Sequence, residues 1–140
     1  MAISFHPEPG AILICDYTTG FVPPEMVKKR LCVVITPRLR RRDGLCTVVP
    51  LSASEPKPVC DYHFAVELER EVPGWSGTLK WAKCDMFGTV SHGRLSPIGV
   101  GRGENGKRKY IYPKVTAEQL RGIRCGVLCA LTFRELTQYL

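Results

Sequence analysis

Short apolar runs broken by glycine and proline are the feature that most constrains how this chain can fold. The runs are rich in valine, isoleucine, leucine and cysteine, and each has the length of an ordinary β-strand. Turn-forming pairs such as Asp43-Gly44 and Pro73-Gly74 separate several of them. The pattern predicts strands over residues 11–17, 31–36, 45–51, 63–68, 79–86 and 87–92, with a short edge strand over 110–112.

One helical pattern follows the strands. Thr116 and Gln119 have the spacing of a capping box, which marks the start of a helix. Apolar residues then recur at helical spacing, at Leu120, Ile123, Val127, Leu128 and Leu131. Several strands followed by a single amphipathic helix predict a mainly β fold, namely a small, partly open, SH3-like β-barrel with a C-terminal α-helix packed on the sheet.

The length of the chain, 140 residues, suits a single domain over 1–140. Within it, residues 97–109 combine glycines with basic residues and predict a flexible insertion. The glycines do not join a strand to a helix, so a nucleotide-binding loop is not expected there.

Positive charge narrows the choice of partner. Lys and Arg number 20 against 13 Asp and Glu, which gives a net charge of +7 and a pI of about 9.2. This balance favours nucleic acid or another acidic partner, although a basic protein without such a partner has the same composition. Half of the cations fall in three short runs, which are Lys28–Arg30, Arg38 with Arg40–Arg42, and Lys107–Lys109.

The remaining composition argues against a membrane protein and against a metalloprotein. No apolar run approaches the roughly 20 residues of a membrane span, and the N-terminal sequence lacks the basic start and apolar core of a secretory signal. Cys15, Cys32 and Cys46 lie inside strand-like runs, as small core residues of a reduced, cytoplasmic protein do. No Cys-x-x-Cys pair occurs, and neither a metal site nor a cofactor is expected.

Polar side chains in the segment 79–86 are the first candidates for chemistry. Side chains alternate along a strand, so Trp81, Lys83 and Asp85 are expected on one face and the residues between them in the core. A cation, a carboxylate and an aromatic ring in one row suit RNA, because they can hold a phosphate, accept a hydroxyl proton and stack on a base. The competing interpretation is a surface ion pair beside a core tryptophan.

Arg30 and Ser52 each stand at the end of a predicted strand. A rigid strand can aim the Arg30 guanidinium at a phosphate, although a solvated arginine gives the same pattern. Glu25 either orients Arg30 or is simply exposed. The Ser52 hydroxyl either contacts a phosphate oxygen or caps a turn. His63 and His92 are isolated histidines, suited to proton transfer or to a structural role.

Four segments carry these candidates in an order that is typical of one protein family. Pro9–Tyr17 is similar to the family's opening motif, and Glu25–Arg30 followed by Val33–Pro37 is similar to the next one. Thr47–Ser52 is similar to the motif V-V-P-[VLC]-[ST], and Trp81–Asp85 is similar to V-x-[RK]-C-D-Q. Together the segments resemble the PemK/MazF family of type II toxin–antitoxin toxins over most of the chain.

The resemblance implies an SH3-like barrel with a C-terminal helix, usually assembled as a homodimer. Members are mostly metal-independent endoribonucleases that cut single-stranded RNA at short sequences and arrest growth, and a cognate antitoxin covers their RNA groove. By position, Arg30 is similar to the family's catalytic arginine and Ser52 to its catalytic or phosphate-contacting hydroxyl residue. Lys83 and Asp85 are similar to the pair that is assigned acid/base roles.

The resulting hypothesis is a toxin that cleaves RNA through attack of a 2′-hydroxyl on the adjacent phosphorus. Predicted RNA-contacting residues accompany the catalytic four, namely Glu25, Lys28, Lys29, Arg38, Arg40, Arg41, Arg42 and Trp81. Operator DNA is expected to bind only through the toxin–antitoxin complex. Leu31, Lys83 and Met86 depart from the family pattern. Leu31 and Met86 leave open a catalytically silent barrel that binds protein or DNA in autoregulation. A third alternative is a toxin of the same fold that poisons a topoisomerase through its C-terminal helix.

Overall fold

The computed structural model describes residues 2–140, and the elements below are those of this part of the chain. The strands are β1 (Ile12–Asp16), β2 (Lys29–Val34), β3 (Leu45–Ser52), β4 (His63–Glu67), β5 (Leu79–Lys83), β6 (Gly88–Ser91), β7 (Leu95–Ser96), β8 (Ile98–Arg102) and β9 (Arg108–Ile111). One α-helix, α1 (Ala117–Ala130), follows them. Short 3₁₀ turns cover Cys84–Met86, His92–Arg94 and Arg134–Tyr139.

The strands form one curved antiparallel sheet that does not close on itself. Its hydrogen-bonded order is β4-β5-β3-β2-β1-β7, and β6 pairs with the first half of β3. Strands β8 and β9 form a separate hairpin. The expected mainly β, partly open architecture with a C-terminal helix is therefore confirmed.

Apolar side chains fill a core on each face of the sheet, because neighbouring positions of β2 and β3 point in opposite directions. Leu31, Val33 and Val49 belong to the core beneath α1. Cys32, Val34 and Val48 belong to the core on the opposite face. The cysteines expected in the interior are buried in this second core, at positions Cys15, Cys32 and Cys46.

Helix α1 begins at the expected capping box and packs through its glycines. The Thr116 hydroxyl accepts the Gln119 N–H at 3.0 Å, and the Gln119 side chain accepts the Thr116 N–H at 2.9 Å. A Cβ atom on Gly122 would lie 2.3 Å from the Phe64 ring, and one on Gly126 would lie 2.6 Å from the Cys84 sulfur. Glycine thus lets the helix approach β4 closely. No helix in the described part of the chain is long and apolar enough to cross a membrane.

Two segments differ from the sequence prediction. The strand expected over 79–86 ends at Lys83, and the chain turns as 3₁₀ helix over Cys84–Met86. The segment 97–109, expected as a flexible insertion, instead contains strand β8 and the start of β9. Its glycines and cations hid the strand signal, because apolar residues are few and alternation is weak there.

The register of β1 and β2 gives the sheet two distinguishable ends. Asp16 lies opposite Lys29 at one end of this pair, called the Asp16 end below. Ile12 lies opposite Val33 near the other, called the Ile12 end. The loop between β1 and β2 spans residues 17–28 and leaves the Asp16 end, whereas the β2–β3 connection leaves the Ile12 end.

Candidate active site

Arg30, Ser52 and Lys83 share one face of the sheet. Cys32 lies opposite Pro50, so Arg30 on β2 and Ser52 on β3 are each the next position on that same face. Ser52 lies opposite Trp81, and Lys83 follows Trp81 by two residues on β5. Three of the four predicted catalytic residues are therefore presented on one surface, on the side away from α1.

The pairing of β2 with β3 stops before the positions of Arg30 and Ser52, and this gap between the two strands is called the notch below. Their ladder ends where Cys32 faces Pro50, which has no N–H to continue it, and beyond this point β3 pairs with β5 instead. Arg30 and Ser52 stand just past the last paired residues, one on each strand. The notch is therefore flanked by a guanidinium and a hydroxyl.

Arg30 has an unused donor at the notch. Its Nε atom is buried and has no hydrogen-bond acceptor among residues 2–140. An unsatisfied buried donor costs about 1–3 kcal/mol, more when the group is charged. Glu25 does not supply the acceptor, because its carboxylate is exposed and accepts the Val22 N–H at 2.8 Å. Of the two interpretations of Glu25, the structure supports exposure.

Ser52 is almost fully buried, with 9% of its surface exposed. Its Oγ accepts the Ser54 N–H at 3.2 Å, so the residue does cap a turn. The hydroxyl proton remains available as a donor, because the turn uses only the oxygen lone pair. Capping and phosphate contact are therefore compatible at this position.

Lys83 and Asp85 do not lie in one alternating row, because the strand ends between them. Asp85 is exposed on the 3₁₀ turn, and neither residue forms an ion pair within residues 2–140. The expected continuation of the Trp81–Lys83 face to Asp85 was wrong, and so was the competing ion pair. The reason is local: the backbone adopts a 3₁₀ turn over Cys84–Met86, and side chains do not alternate between two faces in such a turn.

His63 is the residue across the strand pair from Lys83. Its Nδ1 accepts the Cys60 N–H at 2.9 Å, which places the proton of the neutral ring on Nε2. The sequence left His63 open between proton transfer and a structural role, and only the register of β4 and β5 shows that it stands beside Lys83.

Asp85 and Glu25 line one cleft of about 350 Å³ beside the notch. The cleft lies between the β1–β2 loop and the segment that follows β5. Aromatic side chains contribute to its walls, namely Tyr17, Phe21 and Phe87. The cleft is thus mainly apolar with carboxylates at its rim. No group of three or more His, Cys, Asp or Glu side chains placed to hold a metal ion occurs in the described residues.

Arg94 fixes the base of the β1–β2 loop. Its Nη1 donates to the carbonyl oxygens of Asp16 at 3.1 Å and Thr19 at 2.8 Å. Its guanidinium also lies 4.6 Å from the centre of the Phe21 ring, in a cation–π arrangement. The sequence offers no signal for this role, since the partners are 75 and 78 residues away along the chain.

The predicted RNA-contacting cations divide between the two ends of the sheet. Lys28 and Lys29 are exposed and directly precede Arg30 at the Asp16 end. Arg38 and the run Arg40–Arg42 follow β2 at the Ile12 end, beyond Val34, which lies roughly 13 Å from Arg30 along the strand. Arg38 is also engaged, because it forms an ion pair with Asp43. The structure does not bring this second group to the notch.

The fold and the site define a class, a small open β-barrel with a C-terminal helix and a polar notch on its exposed face. The model of the family described as PemK-like, MazF-like toxin of type II toxin–antitoxin systems matches residues 8–111. The chain belongs to this family of toxins.

Relatives and solved structures are similar to most of the chain. YifN of Escherichia coli strain K12 is 32% identical over 122 residues, covering 74% of this chain and 80% of that protein. The crystal structure of MazF from Deinococcus radiodurans has a TM-score of 0.60 at 15% identity, covering 92% of this chain and 99% of that one. An endoribonuclease in complex with its cognate antitoxin from a mycobacterial species has a TM-score of 0.58 at 16% identity, covering 90% and 95%. At these identities the two structures support the fold alone.

Proposed function

We propose that this protein is an endoribonuclease toxin that cleaves single-stranded RNA without a metal ion. The observation that carries the proposal is the notch, where Arg30 and Ser52 flank an opening and the Arg30 Nε lacks an acceptor. A phosphodiester is an anion that accepts hydrogen bonds from both groups. Family membership supports the same assignment.

In the proposed reaction, the ribose 2′-oxygen forms a bond to the adjacent phosphorus and the bond to the 5′-oxygen breaks. The products are a 2′,3′-cyclic phosphate and a 5′-hydroxyl, so no water is consumed in this step. The 2′-hydroxyl proton passes to a base, for which Asp85 is our candidate, and the 5′-oxygen receives a proton from Lys83 or Arg30. Arg30 stabilises the charge on the phosphorane, and Ser52 donates to a non-bridging oxygen.

Binding groups surround these catalytic residues. Lys28 and Lys29 attract the backbone at the Asp16 end of the sheet. Trp81 is half-buried opposite Ser52, where the exposed part of its ring can stack on a base. Glu25 is placed on the rim of the adjoining cleft, where its carboxylate can accept from a base amino group.

The proposal includes the partners that the family resemblance implies. We expect a homodimer, a cognate antitoxin that covers the RNA surface, and operator DNA bound only through the toxin–antitoxin complex. The structure of a family-fold endoribonuclease with its cognate antitoxin supports the antitoxin as partner. Cleavage of cytoplasmic messenger RNA would arrest growth.

The test is cleavage of an unstructured RNA by the purified protein in EDTA. We expect products that end in a 2′,3′-cyclic phosphate and a 5′-hydroxyl. Replacing the ribose at the cut site by deoxyribose should abolish cleavage. The Arg30→Ala variant should lose about 10²–10³-fold in rate. The Lys57→Ala variant, which also removes one cation but at an exposed position, is the matched control. Cleavage that needs added magnesium, or that survives Arg30→Ala undiminished, would refute the mechanism.

A second candidate function is a catalytically silent member that binds protein or DNA with its antitoxin. It is favoured by the position of Asp85, which leaves the strand face that carries Lys83. RNA that stays intact on incubation with the protein, together with tight operator binding by the toxin–antitoxin complex, would support this candidate over the first.

A further inference from the structure

Most of the net positive charge of the chain sits on two segments that are not part of the notch. The basic loop is residues 37–44, and the basic hairpin is residues 98–111. Together they contain 8 of the 20 Lys and Arg but only 2 of the 13 Asp and Glu, so they carry six of the seven net positive charges. The rest of the molecule, including the candidate active site, is nearly neutral.

The basic loop and the basic hairpin leave the same end of the sheet. The loop follows β2, whose Val34 carbonyl accepts the Gly10 N–H at 2.7 Å beside the start of β1. The hairpin rejoins the sheet just after β9, where the Pro113 carbonyl accepts the Ile12 N–H at 2.9 Å. Both attachments lie at the Ile12 end. The two segments thus make one cationic region, attached to the sheet roughly 13 Å from Arg30 along β2.

The charges of the basic hairpin suit the binding of a polyanion, because they do not stabilise the hairpin itself. Arg102 lies directly opposite Arg108, and like charges in this position destabilise a strand pair. Neither forms an ion pair with a carboxylate in the part of the chain that the structure describes. Arg102 instead donates to the Gly106 carbonyl at 2.8 Å. A bound anion would offset the repulsion.

One face of the basic hairpin also carries an aromatic ring. Tyr110 lies opposite Gly99 and two residues from Arg108, so it shares a face with the arginine pair. Because Gly99 has no side chain, one side of the ring stays accessible in a groove of about 290 Å³ that also includes Lys109. Guanidinium groups grip phosphates bidentately, and a phenol ring stacks on an unpaired base.

We propose that the basic loop and basic hairpin form a second contact surface for single-stranded RNA, separate from the notch. This rests on the proposed function for the identity of the partner, but not on cleavage. The surface holds a stretch of the same RNA several nucleotides away from the scissile linkage. The protein therefore discriminates by RNA length: an RNA that reaches both ends of the sheet binds tightly, and one that covers only the notch binds weakly.

The experiment measures RNA binding by fluorescence anisotropy in the Arg30→Ala background, in which cleavage should be about 10²–10³-fold slower. One unstructured RNA is long enough to span the sheet and one covers the notch alone. The hairpin variant is Arg102→Ala, Arg108→Ala and Lys109→Ala combined. The control variant removes three exposed cations elsewhere, by Lys57→Ala, Arg70→Ala and Arg134→Ala. We expect the hairpin variant to weaken long-RNA binding about tenfold or more, with little change for the short RNA or for the control.

Three results would contradict the proposal, and a fourth would separate it from the proposed function. If the hairpin and control variants lost the same RNA affinity, the loss would come from net charge alone and not from the position of the cations. Equal losses for long and short RNA would place these cations at the notch. A duplex DNA that binds better than RNA and depends more on the hairpin would assign the surface to DNA. Absence of cleavage by the parent protein, with length-dependent binding intact, would overturn the nuclease function and leave this surface standing.

Discussion

Two half-buried histidine rings meet where the N-terminal segment crosses the end of the basic loop. The ring centres of His6 and His92 are 5.3 Å apart, and the His92 N–H donates to the Gly44 carbonyl at 2.8 Å. Three of their four ring nitrogens are buried without a partner in residues 2–140. Burial lowers the pKa of His92, and His6 lowers it further, whereas Asp43 acts to raise it.

This pKa shift predicts an acid-sensitive contribution to stability. Because the folded pKa of His92 lies below its ordinary value of 6.5, the unfolded chain binds the proton first. Stability is therefore full above about pH 6.5 and falls as the pH drops below it. Urea unfolding between pH 8 and pH 5.5 should show this loss in the parent and less of it in His92→Gln. The same change at His63 is the control, and identical profiles for parent and His92→Gln would contradict the prediction.

Gly122 gives a second prediction at this scale. Alanine favours a helix by roughly 1 kcal/mol, but its methyl group would collide with the Phe64 ring, and overpacking costs about 1–3 kcal/mol. We expect Gly122→Ala to destabilise the protein in denaturant unfolding. In a Phe64→Leu background the same change should cost less, because the ring is gone. A simple sum of the two effects would show that the contact is not the cause.

At the scale of elements, alternation and turn signals were enough to locate most of the sheet. The strands over β1 to β4 and helix α1 lie within a few residues of their predicted positions, because each has a continuous apolar face. The site was harder to predict. Three of its features depend on where the chain turns and on how the strands pair. Asp85 leaves the strand face, His63 lies beside Lys83, and Arg94 anchors the β1–β2 loop. No local pattern encodes these.

The β1–β2 loop supplies a prediction about Arg94. Arg94→Ala removes the hydrogen bonds to two carbonyls and the contact to Phe21, which should free the loop at a local cost of about 1.5–3 kcal/mol. Arg94→Lys should not restore the loop, since an ammonium cannot reproduce the planar fork. Hydrogen exchange of residues 18–28 should accelerate in both variants, while the exchange of β3 stays slow. Unchanged exchange in this loop would show that other contacts hold it.

At the scale of the whole molecule, most of the net positive charge and the candidate active site lie at opposite ends of one sheet. The notch and its cleft lie at the Asp16 end, and the cationic region lies at the Ile12 end. If the proposed function holds, this arrangement separates the attraction of RNA from its alignment for reaction, and variants at one end should leave the other process unchanged.

Ionic strength should reveal this segregation. For single-stranded RNA that engages about six cations, the logarithm of affinity should fall with the logarithm of salt concentration with a slope of about −4. The hairpin triple variant should reduce the magnitude of this slope by about 2. Anisotropy titrations over a series of salt concentrations measure both. A slope near zero in the parent would mean that binding is not governed by these charges.

The Arg30 Nε atom, which has no acceptor among residues 2–140, has a consequence for the stability of the protein. On folding, this N–H becomes buried and finds no such acceptor. Under the proposed function, an RNA phosphate supplies that acceptor, and its binding would stabilise the folded chain. Bound RNA would then stabilise the folded protein as well as react. A non-cleavable RNA should therefore raise the melting temperature of the parent more than that of Arg30→Ala.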